Sequence, residues 1–516
     1  MASVSGIGRR SKAPPFWLVM AALVPTMLIG LPIFYVIARA VEAGPQAVID
    51  ELFRAYTFDL LVNTLILSVS VTTLSCVIGV GIAWLVERCD LPGRRFWSVL
   101  ASLPLAIPAF VASYAWSSLD GAFESMGGAI LILTLSQYPL VFLPVAAAFR
   151  SMDPSLEHVS RSLGYGPWGS FWRAALPQAK AAIGGGALLV LSHMFAEFGA
   201  LALLRVQTFT TAIYQSYQLQ FDNTSAAMQS AVLMALCLPA AFGEMRLRGG
   251  VRTARTGQGA ARRSGLLRLG RWKYLALGLL ALLALAALAV PLVTILYWLT
   301  VGRSIGAGLE DMAGALQGSL MLSVPGAVLT TLLALPLVML AVRYRGPFGL
   351  VADRLPYVVH GLPGLVVALA LVFTSIRYVP AVYQSTLVLL IAYAMLFLPL
   401  AQSSLRASLE LVPPELENVA RSLGRKNYEA FLSVTLPNIA PGVGAALALM
   451  VLELMRELTA TLMLVPTGVL TLATEVWSYT NDAQYAAAAP FAVMLVLASV
   501  VPVYVFTQRS LKIYDL

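Results

Sequence analysis

Two polar segments of this chain repeat the same residue types at the same spacing. Residues 157–177 and 417–437 agree at nine of twenty-one positions when they are aligned without a gap. Each segment begins with a glutamate, continues with Arg-Ser-Leu-Gly and ends with Leu-Pro. Carboxylates and guanidinium groups on a polar surface form strong, directed hydrogen bonds with a partner. Because packing gives no reason for two polar segments of an apolar chain to agree, we expect both to do the same job.

A second set of ionisable residues lies within or at the ends of apolar runs. Glu197 and Glu457 occupy corresponding places, 260 positions apart, with His193, Glu453 and Arg456 nearby. A charge at membrane depth is costly unless it is paired or faces water. One hypothesis is a translocation path gated by Glu197 and Glu457. The alternative is structural: Glu453 and Arg456 form an i,i+3 pair within one helix, and Glu197 has a similar partner.

The sequence contains no pattern typical of an enzyme or a metal site. Cys76, Cys89 and Cys237 have neither disulfide nor metal-ligand spacing, and the three histidines are scattered. Nucleophile-elbow, HExxH and phosphate-loop motifs are missing from the sequence. We therefore expect a protein that is not an enzyme and that binds no metal and no cofactor itself.

Membrane helices must position these residues. Hydrophobic residues form 59% of the 516-residue chain and charged residues 11%, and the mean hydropathy is +0.81. Apolar runs of about 20 residues predict twelve spans, at 16–39, 60–86, 97–117, 128–149, 182–204, 226–243, 274–300, 318–342, 350–376, 385–405, 439–463 and 488–507. The first run is too long for a signal peptide and lacks a cleavage site. The expected fold class is an all-α polytopic membrane protein.

The duplication extends over both halves of the chain. YPLVFLP at 138–144 matches YAMLFLP at 393–399. Six spans in each half make the two repeats parallel, related by an axis along the membrane normal. We expect a first half at 1–244, a basic linker at 245–273 and a second half at 274–516.

Basic residues indicate which side of the membrane is cytoplasmic. The linker at 245–273 holds nine basic residues and no acid, and Arg9, Arg10 and Lys12 precede the first span. Cytoplasmic loops are rich in Lys and Arg, so we expect both termini, the linker and the loops 150–181 and 406–437 in the cytoplasm. The net charge of +9 does not indicate nucleic-acid binding, since a topogenic tether near anionic lipid explains the linker better.

Each repeated segment predicts a short helical hairpin. Proline precedes both glutamates, which suits the first turn of a helix, where a carboxylate complements the dipole. Gly164 and Gly424 are placed to end that helix in a left-handed cap. A second, amphipathic stretch is expected to run to Leu-Pro, where the next membrane span begins.

This pattern resembles the coupling loop of type I ABC importer permeases. A glutamate, a glycine seven residues on and a Leu-Pro ending thirteen residues later lie between the fourth and fifth spans of each half. His158 and Asn418 replace the small residue usual after the glutamate. The resemblance implies that each hairpin docks on a cytoplasmic ATPase through the following residues: Glu157, Arg161, Ser162, Gly164, Leu176 and Pro177, and Glu417, Arg421, Ser422, Gly424, Leu436 and Pro437.

Within that family, the fused two-half arrangement is similar to the ferric-iron and thiamine permeases. Glu197-Phe198-Gly199 and Arg456-Glu457-Leu458 resemble the ferric-iron group. The resemblance implies a multi-pass permease of the bacterial cytoplasmic (inner) membrane, a homodimeric cytoplasmic ATPase that uses the ATP, and an external substrate-binding protein. Thiamine, phosphonate and polyamines are alternative cargoes. A secondary transporter with two parallel halves is the alternative class, but it does not require the polar hairpins.

Overall fold

The computed structural model describes residues 14–152, 155–250, 266–301, 308–344, 346–360 and 362–512. Arg9, Arg10 and Lys12 and linker residues 251–265 therefore lie outside the described residues, as do the side chains of 153–158. Within the described part, the chain is helical and its β-structure is one isolated bridge between Cys89 and Leu267. The all-α fold class is confirmed.

The first half of the chain contributes thirteen helices. They are α1 (Phe16–Ala43), α2 (Pro45–Leu52), α3 (Ala55–Arg88), α4 (Arg94–Ser102), α5 (Ala109–Ser117), α6 (Met126–Gln137), α7 (Pro139–Ser151), α8 (Ser155–Ser162), α9 (Pro167–Ser170), α10 (Leu176–Ala196), α11 (Gly199–Leu203), α12 (Phe209–Gln218) and α13 (Asn223–Gly250).

The second half contributes twelve helices. They are α14 (Trp272–Ala284), α15 (Val290–Val301), α16 (Leu309–Arg343), α17 (Pro347–His360), α18 (Gly364–Tyr378), α19 (Thr386–Leu409), α20 (Pro414–Ser422), α21 (Asn427–Ala430), α22 (Leu436–Met455), α23 (Thr459–Leu464), α24 (Leu472–Asn481) and α25 (Tyr485–Lys512). π-helical segments join α9 to α10, α14 to α15 and α21 to α22.

Nine helical segments in the described ranges are long and apolar enough to cross a membrane, or ten if α4 and α5 form one bent span. Two shorter apolar helices, Gly364–Tyr378 and Tyr485–Val500, overlap the other two predicted spans. Large apolar side chains on these helices face outward: Leu279, Leu282 and Val293 are each more than half exposed. Such exposure suits contact with lipid, where an apolar surface has no cost.

Proline breaks the predicted span at 97–117. Pro108 has no backbone N–H to continue a helix, and it forces the preceding residue into an extended conformation. Ile107 accordingly has φ −93° and ψ 114°, and the helices on either side meet at an angle of 87°. The expectation of one straight helix here is wrong.

The predicted spans at 182–204 and 439–463 are also interrupted. The first ends at Ala196 and a short helix restarts at Gly199; the second ends at Met455 and restarts at Thr459. The expectation that these apolar runs continue as single helices is wrong, and each break contains one of the paired glutamates, Glu197 or Glu457.

Contacts divide the chain into two compact units. The smaller unit comprises Met1–Tyr35, Leu320–Leu454 and Met463–Thr467, and the larger comprises Val36–Ser319, Met455–Leu462 and Gly468–Leu516. One repeated polar segment lies in each unit, and Glu197 and Glu457 both lie in the larger one. The domain boundaries expected at 244 and 274 stay a prediction.

Small residues allow the membrane helices of the larger unit to pack closely. A Cβ atom built at Gly79 of α3 would lie 2.9 Å from the Cβ of Val141 in α7. One at Gly186 of α10 would lie 2.8 Å from the Cα of the same valine. Because side chains would not fit at these positions, glycine lets α3 and α10 approach the backbone of α7, as is typical of helix pairs in membranes.

Candidate coupling hairpins and the paired glutamates

Both repeated segments fold as the predicted hairpin. Hairpin 1 comprises residues 155–177, with arms α8 and α9, and hairpin 2 comprises residues 414–437, with arms α20 and α21. Gly164 and Gly424 have φ of +86° and +89°, so the predicted left-handed caps are confirmed.

Hydrogen bonds at the two turns show the same capping motif. In hairpin 2, the N–H of Gly424 donates to the carbonyl of Arg421 at 3.0 Å, and the N–H of Arg425 donates to the carbonyl of Ala420 at 3.2 Å. Hairpin 1 has the corresponding pair of bonds from Gly164 and Tyr165. This combination defines a Schellman motif, which fixes the direction of the chain after the helix.

The second arm of each hairpin continues into a membrane helix. The N–H of Leu176 donates to the carbonyl of Phe171, and the N–H of Leu436 donates to that of Phe431, which gives each arm one π-helical turn. This wider turn accommodates the proline that follows, which has no N–H of its own. As predicted, α10 and α22 begin at Leu176 and Leu436. The helical backbone continues through both sites, since Trp168–Ala196 and Tyr428–Met455 are each one continuous helical segment.

Exposed apolar side chains occupy the same four positions in the two hairpins. They follow an i, i+4 spacing on each arm, so that they lie on one face of that arm. The pairs are Val159 and Val419 (54% and 56% exposed), Leu163 and Leu423 (69% and 79%), Trp168 and Tyr428 (61% and 55%), and Trp172 and Leu432 (54% and 55%). We call these two sets the apolar faces. Sequence analysis missed them because it followed the polar identities, although the spacing is visible in the sequence.

Aromatic packing distinguishes hairpin 1 from hairpin 2. The Trp168 ring stacks on Phe171 at 5.4 Å, and both rings contact Trp84 of α3, at 5.9 and 5.3 Å. The Arg173 guanidinium lies 4.1 Å from the centre of the Tyr165 ring, in a cation–π geometry. Residues of both arms line a cavity of about 370 Å³. The two hairpins therefore have the same backbone conformation at their turns, but the packing of their side chains differs.

The structure places most of the predicted coupling residues on the surface. Arg161, Ser162 and Pro177 are exposed, and Leu176 is half-buried. In hairpin 2, Ser422 and Pro437 are exposed, and Arg421 and Leu436 are half-buried. The side chain of Glu157 lies outside the described residues. Their predicted contacts with an ATPase stay a prediction.

The carboxylate of Glu417 binds residues of its own chain. Its position in the first turn of α20 agrees with the sequence, but its carboxylate accepts a bond from the Thr435 hydroxyl at 2.9 Å. The guanidinium of Arg343 lies 3.2 Å from the same oxygen. Sequence reasoning missed Arg343, which is separated from Glu417 by the length of three helices. A repeated arginine at the ends of α3 and α16, Arg88 and Arg343, was the available signal.

The paired glutamates both cap the helix that follows them. Oε1 of Glu197 accepts from the N–H of Ala200 at 2.9 Å, and Oε1 of Glu457 accepts from the N–H of Ala460 at 3.0 Å. The second carboxylate oxygen of Glu457 accepts from the N–H and the hydroxyl of Thr461 at 3.1 and 3.0 Å. These bonds satisfy backbone donors that a broken helix leaves free.

The segments after the two glutamates touch each other. A Cβ atom at Gly199 would lie 2.6 Å from Cδ2 of Leu458 and 3.1 Å from Cβ of Phe110. A larger residue at Gly199 would therefore displace the Leu458 side chain, and glycine permits the close approach seen here. The short segments that follow Glu197 and Glu457 thus meet within the larger unit, and a gate formed by the two glutamates stays a prediction.

Capping boxes begin the next helices of both halves. Thr208 with Thr211 caps α12, and Thr471 with Thr474 caps α24. The N–H of Phe209 donates to the hydroxyl of Thr64 at 3.2 Å, and the N–H of Leu472 donates to that of Ser319 at 2.9 Å. In each half, the start of this helix is thus hydrogen-bonded to the second predicted span, α3 or α16.

Other ionisable residues near the breaks contact backbone carbonyl groups. Nδ1 of His193 lies 2.8 Å from the carbonyl of Leu189, one turn back in α10. Arg456 donates from Nη2 to the carbonyl of Leu105 at 3.2 Å. The suggested i,i+3 pairing of Glu453 with Arg456 stays an alternative.

Broken membrane helices, and a repeated hairpin between corresponding spans, are features of a transporter permease. The sequence model described as "Binding-protein-dependent transport system inner membrane component" matches residues 11–243 and 326–510. The chain belongs to this family.

Among individual proteins, the chain is similar to the Fe(3+)-transport system permease protein FbpB 2 of Haemophilus influenzae. They are 45% identical over 504 residues, which make up 97% of this chain and 100% of that protein.

Relatives of about half the length also match. The molybdenum transport system permease protein ModB of Escherichia coli is 27% identical over 203 residues, 34% of this chain and 88% of that protein. The sulfate transport system permease protein CysW of Escherichia coli is 23% identical over 260 residues, 46% of this chain and 89% of that protein. One half of this chain thus corresponds to one such permease.

Proposed function

We propose that this chain is the permease subunit of an ATP-driven importer that carries ferric iron. The observation that supports the cargo is the 45% identity to FbpB 2, named for Fe(3+) transport, over 97% of this chain. The molybdenum and sulfate permeases are less similar and match less than half of the chain. Thiamine, phosphonate and polyamines are the alternative cargoes.

ATP hydrolysis takes place in a separate cytoplasmic ATPase that docks on both hairpins. The apolar faces support this proposal, since exposed apolar side chains at four matched positions fit a groove on a partner protein. Because the two hairpins share one backbone geometry, the partner is a homodimer that presents the same groove twice. The chain itself binds no nucleotide, and both termini and both hairpins lie in the cytoplasm.

An external substrate-binding protein delivers the cargo. The description of the matched family, a component of binding-protein-dependent systems, supports this partner. The loops at 40–59, 205–225 and 464–487, opposite the hairpins in the predicted topology, are the docking surface. A binding protein of this kind selects the cargo, and the permease conducts it.

The translocation path passes the helix breaks at Glu197 and Glu457. Discontinuous helices line the binding sites of many transporters, because irregular backbone at membrane depth is tolerated only inside protein or beside water. The two carboxylates hold the breaks in shape by capping α11 and α23, and they add negative charge where a cation passes.

Uptake of radiolabelled ferric iron by cells that lack this chain tests the proposal. We expect uptake to be lost and to return with the full-length chain. If ferric uptake is normal while thiamine, phosphonate or polyamine uptake is lost, the cargo assignment is wrong and the permease assignment stands.

A further inference from the structure

The carboxylate of Glu417 joins three parts of the smaller unit. It belongs to α20, the first arm of hairpin 2, and it is 17% exposed. Its Oε1 lies 3.2 Å from Arg343, the last residue of membrane helix α16, and 2.9 Å from the hydroxyl of Thr435, which precedes α22. One oxygen atom thus connects the hairpin to the helices α16 and α22.

Arg343 binds the hairpin at a second point. Its Nη2 donates to the carbonyl of Val412 at 3.0 Å, and the arginine side chain is 10% exposed. Val412 is buried in the loop that leads into α20. The guanidinium therefore contacts both the loop before α20 and the first turn of α20, and it links them to the end of α16.

Burial makes this ion pair matter more than a surface pair. An exposed pair contributes little, since water and salt screen it. When one partner of a buried pair is removed, the other is left as an uncompensated charge, and the local structure is strongly destabilised. The arrangement of α16 relative to hairpin 2 therefore depends on both side chains.

We propose that Arg343 and Glu417 form an intramolecular latch that transmits movement of hairpin 2 to membrane helix α16. This inference rests on the proposed function, in which the ATPase docks on the hairpin. Glu417 then acts as a positioning residue within the chain, and the apolar face, not this carboxylate, contacts the ATPase.

The first half carries the corresponding arginine. Arg88 ends α3 as Arg343 ends α16, and it is 7% exposed. The repeat predicts Glu157 as its partner, although that side chain lies outside the described residues. Ala175 stands where hairpin 2 has Thr435. A pair formed by Arg88 and Glu157 would therefore lack the hydroxyl that Thr435 supplies in hairpin 2.

Single and double substitutions in the tagged full-length chain test the latch. The chain is purified from its own cells with the ATPase that co-purifies, then reconstituted with binding protein and ferric iron. For Arg343→Gln and Glu417→Gln we expect ATPase recovery to be unchanged. The ATP hydrolysed per iron ion transported should rise by about two- to thirtyfold, the range for residues that carry coupling.

Non-additivity separates an internal pair from two independent contacts. The double variant should have the same ATP-to-iron ratio as either single variant. Glu415→Gln, an exposed glutamate of the same helix, is the matched control and should resemble the unmodified chain. Arg343→Lys, which keeps the charge, should have an intermediate ATP-to-iron ratio. It replaces Arg343→Gln in the comparison if Arg343→Gln does not accumulate in the membrane.

Two results would overturn the latch. One is release of the ATPase by Glu417→Gln but not by Arg343→Gln, which would place the carboxylate on the ATPase. The other is a double variant whose loss equals the product of the two single losses. Failure of the proposed function is recognised separately: Val419→Asp with Leu423→Asp on the apolar face would then leave ATPase recovery unchanged.

Discussion

Replacing Gly164 by valine should weaken ATPase association without affecting membrane insertion. The glycine has φ +86°, and a Cβ atom there would meet nothing within 4 Å. The cost is therefore conformational: about 1–2 kcal/mol for a side chain in the left-handed region. Because the docked hairpin has to bear this strain, association should weaken about 5- to 30-fold.

Two control variants isolate the backbone effect. Gly166 also has open space around it, but its φ lies outside the left-handed region, so Gly166→Val adds the same side chain without the strain. Gly164→Asn should retain most association, because asparagine visits the left-handed region more readily than valine. The assay is recovery of the ATPase with the tagged chain at a series of ATPase concentrations. Equal affinities for Gly164→Val and Gly166→Val would refute the reasoning.

Three further predictions concern the apolar face of hairpin 1, the paired glutamates at the helix breaks, and Asp222. Val159→Asp with Leu163→Asp should lower ATPase recovery about tenfold or more, since each apolar side chain buried at an interface contributes about 1.5–3 kcal/mol; unchanged recovery would exclude the face. Glu197→Gln with Glu457→Gln should slow iron uptake while complex assembly stays normal, since the amide oxygen of glutamine still accepts from the N–H of Ala200 and Ala460; normal uptake would exclude a role for the charge. Burial alone would raise the pKa of Asp222, but hydrogen bonds from Ser225 lower it overall. Its stabilising effect should thus be complete above the ordinary aspartate pKa of about 4 and be lost below it, and Asp222→Asn should remove this acid sensitivity in thermal unfolding curves.

Local patterns in the sequence predicted the hairpins well. A proline, a first-turn glutamate and a glycine within one short segment specify a capped helix through contacts between near neighbours. The φ of +89° at Gly424 follows from such a pattern. The sequence did not predict the π-helical turn before each Leu-Pro, through which the helix continues.

Long-range contacts could not be predicted in the same way. In the hydropathy pattern, Glu197 and Glu457 are polar residues that interrupt an apolar run. The pattern does not show that each carboxylate caps a new helix. The Arg343–Glu417 pair joins residues far apart in the chain, and the closeness of Gly199 to Leu458 depends on how the two halves pack. These features are set by tertiary structure, which a single sequence does not reveal.

Reconstitution of the chain in liposomes tests the central claim most directly. The purified chain, its co-purifying ATPase and the binding protein are assembled, and entry of radiolabelled ferric iron is measured with and without ATP. We predict uptake that requires ATP, the ATPase and the binding protein together. Iron uptake by the chain alone, driven by an ion gradient without ATP, would contradict the account and indicate a secondary transporter.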